Sequence, residues 1–307
     1  MALCDYTIDG QIGAKGKNGG VQTALSKDAG DIRVTIKRID RYGERMIELL
    51  ERIRNISHPN LSSVIEICSH EFDGSVYVVR QLIEGTDLKS IFTNKSIYRR
   101  VDEHKFIEAG CAILKALSTL HGSGIVHRDI KPSNIIIPHD DKTKPWEADF
   151  SKAILIDYEQ CSPFPDNSGV RSSFALVYSP PEMLLKYNSL VGPWSDLFAL
   201  SVMLFQLIMG KAPYTDCNPE ILVNLQLTYP MKQPARMADD LFACLQRAAH
   251  KAAFRVPPRR MSQQEIEATL RAGISGRYQS AQEMLNDLSR VTEPFKKVSW
   301  ITKVFGE

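Results

Sequence analysis

The sequence predicts an α+β chain of two unequal lobes, a small β-rich lobe with one helix followed by a larger, mainly helical lobe. Within residues 4–40, "CDYTIDGQI" and "IRVTIKRI" roughly alternate apolar and polar side chains with period two, and residues 75–83 read as another strand. Helical spacing appears there only over 43–56, whereas long amphipathic stretches dominate after residue 88. A length of 307 residues accommodates two such bodies. Hydrophobic residues at 43% and charged residues at 24% suit a chain that buries a sizeable core.

In order along the chain, "CDYTIDGQI" and "IRVTIKRI" read as strands separated by the glycine-rich "IGAKGKNGGV". "GERMIELLERIRNI" spaces Met46, Ile47, Leu49, Leu50, Ile53 and Ile56 as one helical face. It ends before His58-Pro59, because proline disfavours the helical conformation of the residue it follows. "SVYVVRQLI" is a further strand and Glu84-Gly85-Thr86-Asp87 a loop. A long helix is expected in "KFIEAGCAILKALSTLHGSG", stopped by Gly122 and Gly124. Short strands "NIII" and "AILI" flank the polar 138–152, which reads as an inserted loop. The apolar run 199–209 is too short to span a bilayer and is expected inside a buried helix over 193–209. Ser262 with Glu265, and Ser280 with Glu283, have capping-box spacing before two late helices.

Composition narrows the function classes. A net charge of +2 gives no reason to expect nucleic acid or an anionic membrane as partner. The clusters Tyr98-Arg99-Arg100 and Arg255 to Arg260 read as solvated surface. The six cysteines include no Cys-x-x-Cys pair, so neither a zinc site nor a disulfide scaffold is expected, and reduced thiols suit a cytoplasmic setting. The amino-terminal "MALCDYTIDG" lacks the features of a signal peptide. Nothing in the sequence points to an oligomeric state.

"VHRDIKPSNIII" (126–137) crowds opposed polar groups beside an apolar run. It resembles the catalytic loop of eukaryotic-type (Hanks-type) serine/threonine protein kinases, and the resemblance extends over about residues 6–290. By that resemblance Asp129 orients the attacking hydroxyl, Lys131 stabilises the γ-phosphate, Asn134 ligates metal and Ile136 lies beneath adenine. In "ILIDYEQ", Asp157 takes the place of the metal-binding aspartate of Asp-Phe-Gly, with Tyr158 and Glu159 as departures. "VTIK" resembles the strand whose lysine, Lys37, meets the α- and β-phosphates, and Glu48 is the expected helix partner of that lysine, with Glu44 and Glu51 on the same helix face. Gly13, Gly16, Gly19 and Val21 fall on the phosphate-covering loop. Gln81 and Ile83 offer backbone bonds to adenine, Asp87 meets the ribose, and Arg80 falls at the gate of the back pocket. A buried arginine there requires a counter-charge, for which Glu159 or a helix glutamate is the expected source.

"YSPPEML" resembles the end of an activation segment over 157–182, with Glu182 expected to pair with Arg277 and Asp196 to brace the catalytic loop. The implied lobes are 1–80 and 88–290 joined by a hinge at 81–87, with 291–307 unassigned. The implied function is transfer of the ATP γ-phosphate to serine or threonine of a protein substrate, with Mg²⁺ (or Mn²⁺) as cofactor and autophosphorylation. Arg128 would then face a phosphate on Ser162, Ser168, Ser172 or Ser173. Ala175 stands where family members usually have threonine. These departures keep a nucleotide-binding scaffold without catalysis, and a small-molecule kinase, open as alternatives.

Overall fold

The alternation of the first lobe becomes a five-stranded antiparallel sheet. The computed structural model describes residues 6–16, 19–26, 32–39, 44–69, 76–166, 175–254 and 256–296. Strands β1 (Tyr6–Gly16), β2 (Gly19–Ser26), β3 (Arg33–Ile39), β4 (Val64–Ser69) and β5 (Val76–Gln81) stand in the order β1-β2-β3-β5-β4. Helix α1 (Glu44–Arg54) lies between β3 and β4 in sequence. Period two divides β3 between two faces. Val34 and Ile36 bury in one cluster with Tyr6, Ala24 and Val79, and Ile39 buries in another with Leu49, Leu50, Ile53 and Val78 of α1 and β5. Lys37 alternates with Ile36 and so shares the face of Ile39.

The second lobe begins with β6 (Gly85–Asp87), α2 (Leu88–Thr93) and α3 (Lys95–Tyr98). Its centre is α4 (His104–Gly122) packed on α6 (Pro193–Met209), the latter buried on nearly all sides. Strands β7 (Ile125–Val126), β8 (Ile135–Pro138), β9 (Ile154–Leu155) and β10 (Ser162–Pro163) follow α4. They form two small sheets, β6-β8-β9 and β7-β10. Helices α5 (Pro181–Leu184), α7 (Pro219–Thr228), α8 (Asp239–Ala248), α9 (Gln263–Ser275) and α10 (Ala281–Leu288) complete it. The capping box at Ser262 and Glu265 is present, and Ser280 accepts from the Glu283 amide.

The 58–62 connection ties the lobes together. Asn60 Nδ2 donates to the carbonyls of Ser151 and Ala153 at 3.2 and 2.9 Å, and Leu61 bridges Leu155. One buried cluster therefore runs from Ile39, Leu50 and Val78 through Leu155 and Tyr158 into α4 and α6. Beyond α10, Phe295 bridges Met237 and Lys296 pairs with Asp239 at 2.7 Å, so the start of the unassigned tail packs on the second lobe. Among the described residues Cys111, Cys161, Cys217 and Cys244 are free, and no helix is long and apolar enough to cross a membrane.

Candidate active site

The loop between β7 and β8 is held from below by one carboxylate. Asp196, in the first turn of α6, accepts the backbone N–H groups of His127 (2.8 Å) and Arg128 (2.7 Å) and the Nε2–H of His121 (2.9 Å). Burial alone would raise the Asp196 pKa, but the bond and charge of His121, followed by His127, hold it below the usual carboxylate value. These bonds stabilise a backbone that turns left-handed at Arg128 (φ 67°), a conformation costly for a residue with a Cβ. His127 Nδ1 accepts the Asp129 amide at 3.3 Å while its Nε2 donates to the Ile156 carbonyl at 3.3 Å.

On this support Asp129, Lys131 and Asn134 converge. Lys131 Nζ donates to Asp129 Oδ2 at 2.6 Å, and Asn134 Nδ2 donates to the same oxygen at 2.9 Å and to the Asp129 carbonyl at 2.8 Å. The acidic group is thus fixed by one cation and one amide.

Asp157 follows β9 and carries a second left-handed residue (φ 72°), which an aspartate tolerates better than most side chains. Its Oδ2 accepts Lys37 Nζ at 2.8 Å. Burial pushes the Asp157 pKa up, but Lys37 and then Arg80 outweigh it, so the group stays ionised. Tyr158, where the family has phenylalanine, is buried and donates its hydroxyl to the Ser62 carbonyl at 2.7 Å. The additional polar atom has therefore found a partner. Lys37 also meets Glu159 Oε1 at 3.2 Å.

The structure brings Lys37 to Asp157, and Asn134 to Asp129. It does not bring Glu48 to Lys37. Glu48 is exposed on α1, and among the described residues no ion pair joins it to Lys37. The reason is helical rotation: Leu50 is the α1 residue that lines the cavity beside Lys37, and Glu48, two residues earlier, lies about 200° around the helix. Arg80 is buried and lines that same cavity with Asp157 and Glu159, and its charge helps to hold the Asp157 pKa down.

Gly13 and Gly16 close β1 and Gly19 opens β2, with Gly16 opposite Gly19 and Val21 opposite Ile12, while residues 17 and 18 of that turn lie outside the described residues. Gln81 ends β5, Ile83 is half-buried in the connection, and Asp87 pairs across strands with Ile136. Asp87 also caps α2, accepting the Ser90 amide at 2.9 Å and hydroxyl at 2.6 Å. The carboxylate read as a ribose contact thus has a structural duty as well.

Arg128 does not face an open phosphate site: its Nη1 meets Asp166 Oδ2 at 3.0 Å and its Nη2 meets Asn188 Oδ1 at 3.1 Å. Of the expected acceptors, Ser162 is buried in β10, and Ser168, Ser172 and Ser173 lie outside the described residues. Glu182 and Arg277 form the expected pair, at 2.7 and 3.1 Å. Asp166, Asn188 and His121 escaped sequence reasoning. An acid inside 157–182, able to satisfy Arg128, was the available signal for the first.

Comparison with known proteins agrees with this geometry. The model of the protein kinase domain matches residues 6–269. Sperm motility kinase 3A of Mus musculus is 28% identical over 67% of this chain and 38% of its own length. Serine/threonine-protein kinase pkn3 of Myxococcus xanthus is 26% identical over 68% of this chain and 37% of its own. Serine/threonine-protein kinase PAK 4 of Homo sapiens is 29% identical over 67% of this chain and 32% of its own. The chain thus spans about a third of the length of these relatives. A family match over most of the chain, on a fold that pairs Lys37 of β3 with Asp157 and gathers Lys131 and Asn134 on Asp129, makes it a member of the protein kinase family.

Proposed function

We propose that the chain is an ATP-dependent protein kinase that phosphorylates serine or threonine hydroxyls of protein substrates, including its own. The observation that carries the reading is the convergence of Lys131 and Asn134 on Asp129. Asp129 orients the attacking hydroxyl and takes its proton, while the hydroxyl oxygen bonds to the γ-phosphorus and the bridging oxygen leaves with ADP. Lys131 balances the charge that gathers on the transferring phosphoryl group.

The donor set fits a hard cation. Asn134 offers an amide oxygen and Asp157 an ionised carboxylate, while among the described residues no group of three or more His, Cys, Asp or Glu could hold a metal unaided. Mg²⁺ is characteristically held by one or two protein oxygens together with phosphates and water, and Mn²⁺ accepts similar ligands. When bound, the ion supplies positive charge between phosphate oxygens. Lys37 meets the α- and β-phosphates, Gly13, Gly16, Gly19 and Val21 cover them, Gln81 and Ile83 hold adenine above Ile136, and Asp87 reaches the ribose. Free thiols among the described residues favour a cytoplasmic setting.

A nucleotide-binding scaffold without catalysis is the second reading. It is favoured by one observation, the closed Lys37–Asp157 pair, which occupies both groups.

Incubation with labelled ATP and Mg²⁺, beside Asp129→Asn and Asp157→Ala, tests the first reading. Label on serine or threonine of the wild type or of added protein, lost in both variants, is expected. An ATP-dependent rise in melting temperature with no label would favour the scaffold.

A further inference from the structure

We infer that Glu159 is the residue that positions Lys37, in the role the family gives to a glutamate of α1; the inference rests on the ATP-binding reading above. Glu159 Oε1 lies 3.2 Å from Lys37 Nζ, with the two side chains 12% and 16% exposed. On the α1 side, the same cavity is closed by Leu50 and not by a carboxylate. A change in where α1 sits would therefore leave this pair of charges intact.

The sequence around Glu159 explains how it arrives there. The left-handed turn at Asp157 reverses the chain, and the buried Tyr158, hydrogen-bonded to Ser62, fixes the residue before Glu159. Charge balance explains why it is needed. Lys37 and Arg80 bring two cations to a cavity of about 10 Å³, and Asp157 and Glu159 bring two carboxylates. With glycine at 159, as in the family pattern, two cations would share one carboxylate in a largely buried site, which is strongly unfavourable. Arg80 and Glu159 are thus departures that compensate one another. Donor geometry allows the role in the working site: an ammonium has three N–H donors, of which Asp157 accepts one, while Glu159 Oε1 stands 3.2 Å away as a counter-charge. Donors therefore remain for a phosphate oxygen. Glu159 also keeps Lys37 in place when the Asp157 carboxylate serves as a ligand.

The test uses the intact protein, with Glu159→Gln, Glu159→Asp, Lys37→Met and the double variant Lys37→Met/Glu159→Gln. KM for ATP and kcat on a generic protein substrate are measured beside thermal melts. Glu159→Gln is expected to raise KM for ATP and lower kcat, about tenfold each, without a comparable change in the substrate KM. Glu159→Asp should recover most of the loss. In the Lys37→Met background, Glu159→Gln should change residual activity and ATP-induced melting shift by less than twofold. Full or increased activity of Glu159→Gln, or losses that simply multiply in the double variant, would overturn the inference. A second readout needs no turnover: the ATP-induced rise in melting temperature should be markedly smaller in Glu159→Gln than in the wild type, and an unchanged rise would overturn the inference. A wild type that neither binds nor uses ATP would defeat the functional reading alone.

Discussion

Arg128 and Asp166 form a closed ion pair in which each side chain is only 3% exposed. Arg128 belongs to the catalytic loop and Asp166 to the segment between Asp157 and Glu182, so one contact fastens the segment to the loop. In family members with an arginine at this place, a phosphate on the segment makes that contact. Here a carboxylate encoded in the chain makes it, and Asn188 takes a further guanidinium donor.

Activity is therefore expected not to require phosphorylation of the segment. Phosphatase treatment, checked by intact mass, should leave the initial rate on a protein substrate within twofold. Asp166→Asn should lower that rate at least tenfold and cost on the order of 3 kcal/mol in urea unfolding, because it leaves the Arg128 charge buried without its counter-charge. Burial already pushes the Arg128 pKa down against the pull of Asp166. Loss of activity on dephosphorylation would show that phosphate, and not Asp166, orders the segment.

Tyr158→Phe restores the residue usual in the family yet is expected to destabilise this protein. The Tyr158 hydroxyl is the donor to the Ser62 carbonyl at 2.7 Å, in a buried setting. Phenylalanine would keep the ring and abandon that carbonyl, at a cost of about 1–3 kcal/mol. Urea unfolding of the single variant measures it. An unchanged midpoint would mean that water replaces the hydroxyl.

The Glu182–Arg277 pair joins the end of the activation segment to the turn before α10, with side chains 0% and 1% exposed. Ser195 donates to Glu182 at 2.7 Å, and Arg277 Nε donates to the His250 carbonyl at 2.7 Å. Arg277→Met should cost about 3–5 kcal/mol, since it strands a buried carboxylate. Arg277→Met combined with Glu182→Met should cost less than the two single changes summed, because neither charge is then left alone. Denaturant midpoints of the three variants decide it, and strict additivity would contradict the pairing.

The strand-rich start, the long helices and the gathering of Lys131 and Asn134 on Asp129 were legible because each depends on local spacing. Asp129, Lys131 and Asn134 lie within six residues of one another, and α4 and α6 announce themselves by apolar pattern and stop signals. Glu48 was misread because counting back from His58 sets distance along α1 but not rotation about its axis. A two-residue difference separates an exposed glutamate from the inward Leu50. Glu159 was legible as a departure and as a possible counter-charge to Arg80. Its contact with Lys37 was not, because 122 residues separate them in the chain. Asp166 with Arg128, and His121 with Asp196, are likewise long-range contacts that no local spacing encodes.

Lys251 supplies a prediction about pH. Its ammonium donates to the carbonyls of Leu225 and Gln226 in the last turn of α7 and stands 4.0 Å above the Tyr214 ring. Burial, followed by the charge of Arg277, pushes its pKa down from 10.5 to about 7. The unfolded chain then binds the proton up to about pH 10.5 while the folded chain releases it above about pH 7. Between those limits the unfolded state carries more protons, so this residue's contribution to stability rises with pH and is least favourable below about pH 7. Lys251→Met removes the titration. The melting temperature of the variant relative to wild type should therefore be highest near pH 6 and fall steadily toward pH 9. A difference that stays flat across that range would mean that the α7 carbonyls and Tyr214 keep the ammonium charged in the folded protein, because only a change in bound protons can tilt the comparison with pH.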